Sequence, residues 1–453
     1  MFLHKISRLP PMVAAHRLAA VLMAATVAGC ATYRPEPLPE QAESASSLQQ
    51  LHGYHAGGQP LDTVAVEQLV LLNNPDLRSA QARHVQAQAQ RVQDSVLPNP
   101  VVSGSAGYLT GGVGDATAWT ASISEDITAL ITLRPRRVAA KARADAVDAS
   151  LLWEQWQTLG KARLLVIDLI EQQRLIALQR QAVQALEYRQ SQLQAAVADG
   201  NMERLGSAAD LAAAADARSS LNDLERRQLD SEQQLHALLG LKLEVALPLV
   251  DWLPAPALDA VAIRSEAGSI RQRRPDLVAL QLGYQAQEAS LRAAVLAQFP
   301  PLSFGYAASQ DNSRVRNGGP AVTFALPLFD RNQGNIALAR ATREQLHVEY
   351  GARLASAQDE VDDLLAQYAQ LQQQRRALAP AMNEAAQAAR QAGHAAQAQL
   401  LDVRAHTDLE FAALNRRIAD VSIEQAMLEQ QAALELLVGQ GMPTSLQQDV
   451  FAP

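Results

Sequence analysis

Two proline-led segments show that this chain carries an approximate internal duplication. An Asn-Pro-Asp-Leu run at 74–77 opens one helical stretch, and an Arg-Pro-Asp-Leu run at 274–277 opens a second. Each stretch runs to a further proline cluster, at 97–100 and at 299–302, and then to strand-like residues. Repetition on this scale means that one architectural unit is built twice. The unit predicted here is a helix, a proline turn, two strands and a long helical return.

The composition favours long helices that pack on one another. Hydrophobic residues make up 48% of the chain but aromatic residues only 4%, because alanine supplies much of the apolar count. Alanine is the best helix former and lets helices approach closely. A chain dominated by Ala, Gln, Leu, Glu and Arg is typical of such assemblies. We therefore predict a mainly α-helical fold with long antiparallel coiled-coil helices, rather than a compact globule.

The N-terminus is predicted to be a lipoprotein signal peptide, residues 1–29. Three basic residues precede an apolar stretch at 18–28, which is too short for a spanning helix. Cys30, the only cysteine, directly follows Val-Ala-Gly. That order resembles a bacterial lipobox, in which the cysteine is lipidated and begins the mature chain. A chance cysteine in an ordinary signal peptide is the alternative. Ala31 stands where an aspartate often signals inner-membrane retention, so outer-membrane sorting is favoured.

The rest of the chain divides into four predicted parts. Residues 30–60 are rich in Pro, Ser, Gln and Gly and are predicted to form a lipidated N-terminal tether. The first helix-strand-strand-helix repeat is predicted at 61–260 and the second at 261–441, followed by a C-terminal tail at 442–453.

Four short segments alternate bulky apolar residues with small or polar residues at period two. They lie at 101–109, 119–124, 302–309 and 322–326. This alternation is typical of lipid-facing barrel strands, and soluble hairpins with one buried face are the alternative. Four strands cannot close a membrane barrel, which needs about eight, and open edges are not tolerated in lipid. If these strands span a membrane, the chain must oligomerise.

Prolines are predicted to mark the elbows between helices and strands, because proline fixes φ and removes a donor. The predicted elbows are Pro98, Pro100, Pro135, Pro300, Pro301 and Pro327. Long helical stretches are predicted to follow the strand pairs from Arg136 and from Arg331. Glycine-containing turns at 199–201 and 392–394 are predicted to be the tips of helical hairpins.

The sequence shows no catalytic or metal-binding pattern. It contains no nucleophile elbow, phosphate loop or Cys-His cluster, and its nine histidines are scattered. We therefore predict no enzyme activity, no metal site and no cofactor. The formal net charge of −8 argues against a nucleic-acid partner. Arg134, Arg136 and Arg137 lie either at the strand–helix junction, near lipid headgroups or a lumen, or in a plain solvated turn.

These features, in this order, resemble the TolC-like outer membrane efflux channel family. The lipobox, the duplicated proline-led helices, the proline-flanked strand pairs and the hairpin glycines carry the resemblance over about 61–441. The resemblance implies a homotrimer, in which each chain gives four strands to a twelve-stranded outer-membrane β-barrel and long helices to a periplasmic tunnel. It implies outer-membrane lipid, a periplasmic adaptor protein and an inner-membrane efflux pump as partners.

The resemblance also implies residues for adaptor docking and gating. In the family a glycine precedes a Leu-Asp pair at a short spacing near the hairpin tip. The second hairpin fits this pattern, and the first is one residue longer. The residues implied are Gly200, Asp210, Leu211, Gly393, Leu400, Leu401 and Asp402.

The function implied by the resemblance is passive conduction of small molecules or metal cations from the pump and adaptor to the exterior. The Leu-Pro-Asn-Pro run at 97–100 is most similar to the heavy-metal cation branch. That branch usually has a Gly-Gly-Lys-Arg-like run after the second strand, where this chain has Ile-Thr-Leu-Arg-Pro-Arg-Arg at 131–137. Two alternatives stay open: a type I secretion export channel, and a periplasmic coiled-coil scaffold lipoprotein with soluble hairpins.

Overall fold

The computed structural model describes residues 34–40, 44–55, 59–200, 208–254 and 257–440. The fold is that of the unit that begins at Ala45. The predicted signal peptide, Cys30 and the predicted tail at 442–453 lie outside the described residues.

The two repeats have the same order of long elements. The first repeat contains α1 (Thr63–Asn73), α2 (Pro75–Ser95), β1 (Val101–Gly107), β2 (Ala118–Asp126), α3 (Ile127–Ala198) and α4 (Ala208–Leu239). The second contains α5 (Ala260–Ala267), α6 (Ile270–Arg273), α7 (Pro275–Leu296), β3 (Leu302–Gln310), β4 (Arg316–Phe324), α8 (Gln333–Gln397) and α9 (Val403–Val438). The chain is therefore mainly helical with four strands, and the predicted duplication is confirmed. At 1.5 Å per residue, the 72 residues of α3 extend over about 108 Å.

The repeats begin their first long helices in related ways. In the first, the Asn74 side chain accepts from the Leu77 amide at 2.9 Å and donates to the Leu238 carbonyl at 2.9 Å. Arg274 occupies the equivalent position and provides no side-chain cap. Its Nε instead donates to Asp276 at 2.8 Å, and its guanidinium lies 4.8 Å from the centroid of the Trp153 ring. A cation–π contact and an ion pair thus replace the cap.

The return helix of each repeat ends beside the start of that repeat. Gly240 follows α4 with φ +65°, and Gly439 follows α9 with φ +73°. A Cβ on Gly240 would lie 3.4 Å from the Asn73 carbonyl oxygen, and one on Gly439 would lie 3.8 Å from the Cβ of Arg273. Glycine adopts this left-handed helix end without steric cost, so each repeat closes on itself in the same manner.

Buried apolar side chains join the two repeats. One core is built from α1, α3 and α4 and includes Leu428 of α9, and a second includes Ile263, Leu277 and Leu434. Between them, Trp156 of α3 is 2% exposed, and its indole N–H donates to the Leu436 carbonyl at 2.7 Å. The long helices of the two repeats are therefore fixed to one another by packing and by a buried hydrogen bond.

The prediction that Pro135 is an elbow and that the helix starts at Arg136 is wrong. The helix begins at Ile127, and Pro135 lies inside it. The carboxylate of Asp126 accepts from the Thr128 amide at 2.8 Å and from the Ala129 amide at 3.2 Å, which caps the helix well before the proline. An interior proline costs about 3 kcal/mol, and the extensive packing of α3 outweighs that cost.

The predicted hairpin turn at 392–394 is also wrong. Gly393 is helical and lies within α8, which continues to Gln397. The turn follows at 398–402, where Gln399 adopts φ +57° and Asp402 caps α9. A lone glycine in a helix costs only about 1 kcal/mol, so it need not end one.

The second strand pair is longer than predicted. The strand predicted at 322–326 is β4, which starts at Arg316, so the loop after β3 is only 311–315. Pro320 lies within β4, directly opposite Tyr306 of β3. Within the sheet of one chain β4 is an edge strand, and there the missing donor of a proline is tolerated.

Candidate functional site

The four strands form one antiparallel sheet in the order β1-β2-β3-β4. Its register places Val102, Ile123, Tyr306 and Pro320 in one row. Since directly paired residues point to the same side and successive residues alternate, most of the bulky side chains lie on one side, the apolar sheet face. Val101 lies on the other side, and Glu125 and Arg316 lie towards the ends of the apolar sheet face. Its exposed large side chains are Val102, Trp119, Ile123, Phe304, Tyr306, Val322 and Phe324.

The opposite side, the hydroxyl sheet face, is lined by small and polar residues. Ser103 and Ser122 are hydrogen-bonded across the strands at 2.8 Å, as are Ser105 and Thr120 at 2.8 Å. The other hydroxyl residues on this face are Ser124, Ser303, Ser309 and Thr323. Within the four described strands, the only charged residue on this face is Asp126, which caps α3. A sheet with one mainly apolar face and one face of hydroxyl residues suits a boundary between lipid and water.

The outer edges of β1 and β4 have no strand beside them in the described part of the chain. Each edge presents unpaired backbone N–H and C=O groups, which readily pair with another strand. A second chain would therefore extend this sheet on either side.

The remaining predicted elbows lie between helices and strands. Pro98 and Pro100 separate α2 from β1, Pro300 and Pro301 separate α7 from β3, and Pro327 follows β4. They lie where the chain changes from helix to strand or from strand to helix. A proline has no backbone N–H, so it cannot continue the hydrogen-bond pattern of the element before it.

The ends of the two helical hairpins meet at Asp210. This residue is in the first turn of α4 and is 5% exposed. Arg189 of α3, also 5% exposed, contacts it at 2.7 Å, and Arg404 of α9 donates to its other oxygen. The hydrogen bond with Asp210 is the main cause that raises the pKa of Arg404. Arg189 also pairs with Asp408 of α9. These four residues, the tip ion cluster, link α3, α4 and α9.

The other predicted tip residues lie around this cluster or beside it. Gly200 follows α3 with φ +74°, Leu211 is 53% exposed and Leu400 is 82% exposed. Asp402 caps α9 by accepting from the Ala405 amide at 2.8 Å, and Leu401 is half-buried next to it. Gly393 lies further back, where a Cβ would be 3.9 Å from Nε2 of His406.

Sequence reasoning missed Arg189, Arg404 and Asp408. Arg404 and Asp210 are 194 positions apart, and Arg189 and Asp408 are 219 positions apart. Ion pairs at such separations leave no local pattern, so only the packing of the hairpins could reveal them.

A second polar network lies further along the same helices. Arg174 of α3 contacts Glu171 at 2.6 Å and Glu424 of α9 at 3.2 Å, and Arg375 of α8 contacts Glu424 at 3.6 Å. Glu171 is completely buried, and this desolvation raises the pKa of its carboxyl. Removal of Arg174 would leave the completely buried Glu171 without its partner, and an unpaired buried charge is strongly destabilising.

A carboxyl pair lies next to this network. The Gln425 side-chain amide donates to Asp168 of α3 at 3.0 Å and to Glu429 of α9 at 2.8 Å. Burial, together with the hydrogen bond and negative charge of Asp168, raises the pKa of Glu429 to about 7. The pair therefore holds an extra proton up to near-neutral pH.

Among the described helices, none combines the length and the apolar composition that a membrane span requires. Across the described ranges, no three His, Cys, Asp or Glu side chains are grouped as a metal site would require.

Comparisons with known proteins agree with this architecture. Residues 267–440 match the model of a family described as outer membrane efflux protein. A stretch of 127 residues is 33% identical to outer membrane protein OprJ of Pseudomonas aeruginosa, and the match covers 25% of this chain and 26% of OprJ. It thus spans about a quarter of that relative.

Solved structures match over nearly the whole chain. A membrane protein from Pseudomonas aeruginosa superposes with a TM-score of 0.68 at 20% identity, covering 91% of this chain and 98% of that one. The Campylobacter jejuni CmeC outer membrane channel gives a TM-score of 0.68 at 16% identity, covering 93% and 98%. At these identities the similarity concerns the fold.

Proposed function

Because residues 267–440 match the outer membrane efflux protein family and the described chain shares its fold with solved membrane channels, we propose that this protein is an outer-membrane efflux channel. It acts as the outer part of a tripartite efflux system and passively conducts substrates delivered by an inner-membrane pump and a periplasmic adaptor protein. It is a transport protein and not an enzyme.

The observation that carries this proposal is the sheet with two unlike faces and two free edges. On the apolar sheet face, Phe304, Tyr306 and Phe324 are 54%, 54% and 57% exposed. In water, a patch of this kind favours aggregation, whereas in a bilayer it faces hydrocarbon. The hydroxyl sheet face then lines the aqueous pore.

The free edges require oligomerisation. Open edges are not stable in hydrocarbon, and four strands are too few to close a barrel. Three copies would supply twelve strands, pairing β4 of one chain with β1 of the next. The helices then continue into the periplasm as a tunnel.

The tip ion cluster is proposed as the gate of this tunnel. Asp210 and Arg404 hold the ends of the two hairpins together, and the exposed Leu211 and Leu400 are available for an adaptor. An adaptor opens the channel only if it binds the parted tips more tightly than the joined ones. Leu401, Asp402, Gly200 and Gly393 are assigned to the same docking and gating region.

The N-terminal anchoring and the domain division are part of the proposal. Cys30 is the lipidated residue that follows the signal peptide 1–29. The predicted tether at 30–60 is wrong from Ala45 onward, because Leu48 and Leu51 are buried in the core of the first repeat. The repeats occupy 61–260 and 261–441, with a tail at 442–453. Labelling with radioactive palmitate tests the anchor: Cys30→Ala should lose the label, and a labelled Cys30→Ala protein would exclude this site.

The Leu-Pro-Asn-Pro run at 97–100 supports metal cations as the cargo. A strain that lacks the gene should then become sensitive to metal salts and not to organic drugs. Sensitivity to drugs alone would assign the channel to small-molecule export.

The decisive experiment combines planar-bilayer conductance with the oligomer mass of the same purified preparation. The proposal expects trimers that give small, flickering currents. Monomers that never insert or conduct, even with altered tips, would support the periplasmic scaffold instead. The apolar sheet face can be tested with Tyr306→Lys, which should abolish insertion, against the matched control Ser309→Lys on the hydroxyl sheet face.

A further inference from the structure

A cleft lies between α3 and α7 close to the sheet. Its volume is about 940 Å³. The lining on α3 includes Ile131, Arg134 and Val138, and the lining on α7 includes Arg292 and Val295. We call it the junction cleft. Its volume falls in the range of pockets that hold drug-sized ligands.

The junction cleft has two unpaired cations at an apolar wall. Arg134 and Arg292 are both exposed, and neither guanidinium makes a hydrogen bond or ion pair to any described residue. Ile131 is 48% and Val138 is 52% exposed, so apolar surface continues to the mouth. Glu288 also lines the cleft, but its carboxylate is paired with Arg343 at 3.5 Å. The cleft therefore suits an anion attached to an apolar group.

The position of the cleft along the chain matches the level of lipid headgroups. Arg134 lies eight residues after the end of β2, which is about 12 Å along a helix. Arg292 lies within the last turns of α7, shortly before β3. Phe299, 57% exposed, lies in the chain between the end of α7 and the start of β3, and exposed aromatic residues are typical of the membrane–water interface. Long arginine side chains reach from such a depth to the headgroups.

We propose that the junction cleft binds the anionic headgroup of a phospholipid in the periplasmic leaflet of the outer membrane. The phosphate is held between Arg134 and Arg292, because the planar guanidinium matches the geometry of phosphate oxygens. One acyl chain lies along Ile131, Val138 and Val295. The depth of the cleft in the membrane rests on the proposed channel function. The bound lipid would fix the first turns of α3 against α7, where the sheet passes into the helices.

The test is native mass spectrometry of the purified protein with phosphatidylglycerol or phosphatidylcholine of the same acyl chains. The wild-type protein should retain phosphatidylglycerol preferentially. Arg134→Gln/Arg292→Gln should lower that retention by roughly tenfold, as expected when hydrogen bonds to a charged group are lost. The matched control is Arg227→Gln/Arg340→Gln, which removes two exposed arginines that do not line the cleft. It should bind like wild type.

A second variant tests the cleft without removing the arginines, in case the double arginine variant fails to fold. Val138→Trp fills the mouth of the cleft and keeps both arginines, and it should also lower phosphatidylglycerol retention. Retention unchanged in both variants, or equally reduced in the control, would overturn the inference. Conductance measured on the same samples separates the two proposals. A conducting protein without lipid preference contradicts only the lipid site, and a non-conducting protein that holds phosphatidylglycerol through these arginines contradicts only the channel.

Discussion

Asp210 at the start of α4 is ion-paired with Arg404 in the first turn of α9, so one buried carboxylate joins the ends of the two helical hairpins. The two partners differ in environment. The side chain of Asp210 is 6% exposed and that of Arg404 is 43% exposed. Asp210 also pairs with Arg189, so replacing Arg404 does not leave the buried Asp210 carboxylate without a partner.

We predict that Arg404→Gln weakens the closure of the tips. The neutral side chain keeps a donor but loses the charge that holds Asp210, so the parted state becomes more populated. Exposed ion pairs contribute up to about 1 kcal/mol, which corresponds to a rise of roughly fivefold in open probability. Single-channel recordings in planar bilayers measure it.

The matched control for this variant is Arg227→Gln, an exposed arginine of the same hairpin system. It should leave the currents unchanged. Recordings of Arg404→Gln that match wild type would show that this ion pair does not close the channel.

Gly305 gives a prediction about assembly of the sheet. A Cβ at this position would lie 2.1 Å from the carbonyl oxygen of Ile123 and 2.8 Å from Cα of Ser124. Both are backbone atoms of β2 and cannot move aside without separating the strands. Gly305→Ala should therefore cost about 3 kcal/mol, at the upper end for overpacking, and reduce the yield of the proposed trimer on semi-native gels.

Gly319→Ala is the control for that substitution, because nothing lies within 4 Å of its added Cβ. It should assemble normally. Equal yields of the two variants would mean that β2 and β3 are not as close at Gly305 as the structure has them.

Local signals in the sequence predicted the starts of α2 and α7, which open at the proline-led runs 74–77 and 274–277. Asn74 caps α2, and Asp62 caps α1 by accepting from the Ala65 amide at 2.8 Å. A cap and the amide that it accepts from are three or four residues apart, so the cap can be predicted from the local sequence. The duplication and the mainly helical fold with four strands followed from the same kind of signal.

The errors arose where tertiary packing decides between local options. Pro135 and Gly393 are helix breakers by type, but both lie within helices that are stabilised by their neighbours. The tip ion cluster is different, because no short-range pattern relates Arg189 to Asp210 and Arg404. These residues come together only when both helical hairpins are folded and packed against each other.

Trp156 gives a prediction about how α3 and α9 are held together. Trp156→Phe keeps a buried aromatic ring but removes the indole donor, so the Leu436 carbonyl keeps only the longer bond from the Gly439 amide at 3.3 Å. We expect a loss of about 1 kcal/mol, and about 3–5 kcal/mol for Trp156→Ala, which also opens a cavity. The guanidinium midpoint of the detergent-solubilised protein measures both. Trp252→Phe is the control, because Trp252 is 58% exposed. A Trp156→Phe midpoint equal to that of the control would argue against this hydrogen bond.

Glu429 gives a prediction about pH. Burial and Asp168 raise the pKa of Glu429 from 4.5 to about 7, so the folded state binds this proton more tightly than the unfolded state does. Stability should fall as pH rises through this interval and level off above it. Glu429→Gln mimics the protonated acid, so it should match wild type at about pH 4 and be more stable by about 3 kcal/mol at about pH 8. Thermal unfolding at both pH values measures the difference.

The control for the pH prediction is Glu384→Gln, which neutralises an exposed carboxylate on α8 and should shift stability little at either pH. An advantage of Glu429→Gln that is the same at both pH values would assign its effect to packing. An advantage confined to high pH would mean that Glu429 stays protonated in the folded helices up to near-neutral pH. In that case Asp168→Asn should reduce the pH dependence without abolishing it, because burial, the larger cause, still raises the pKa of Glu429.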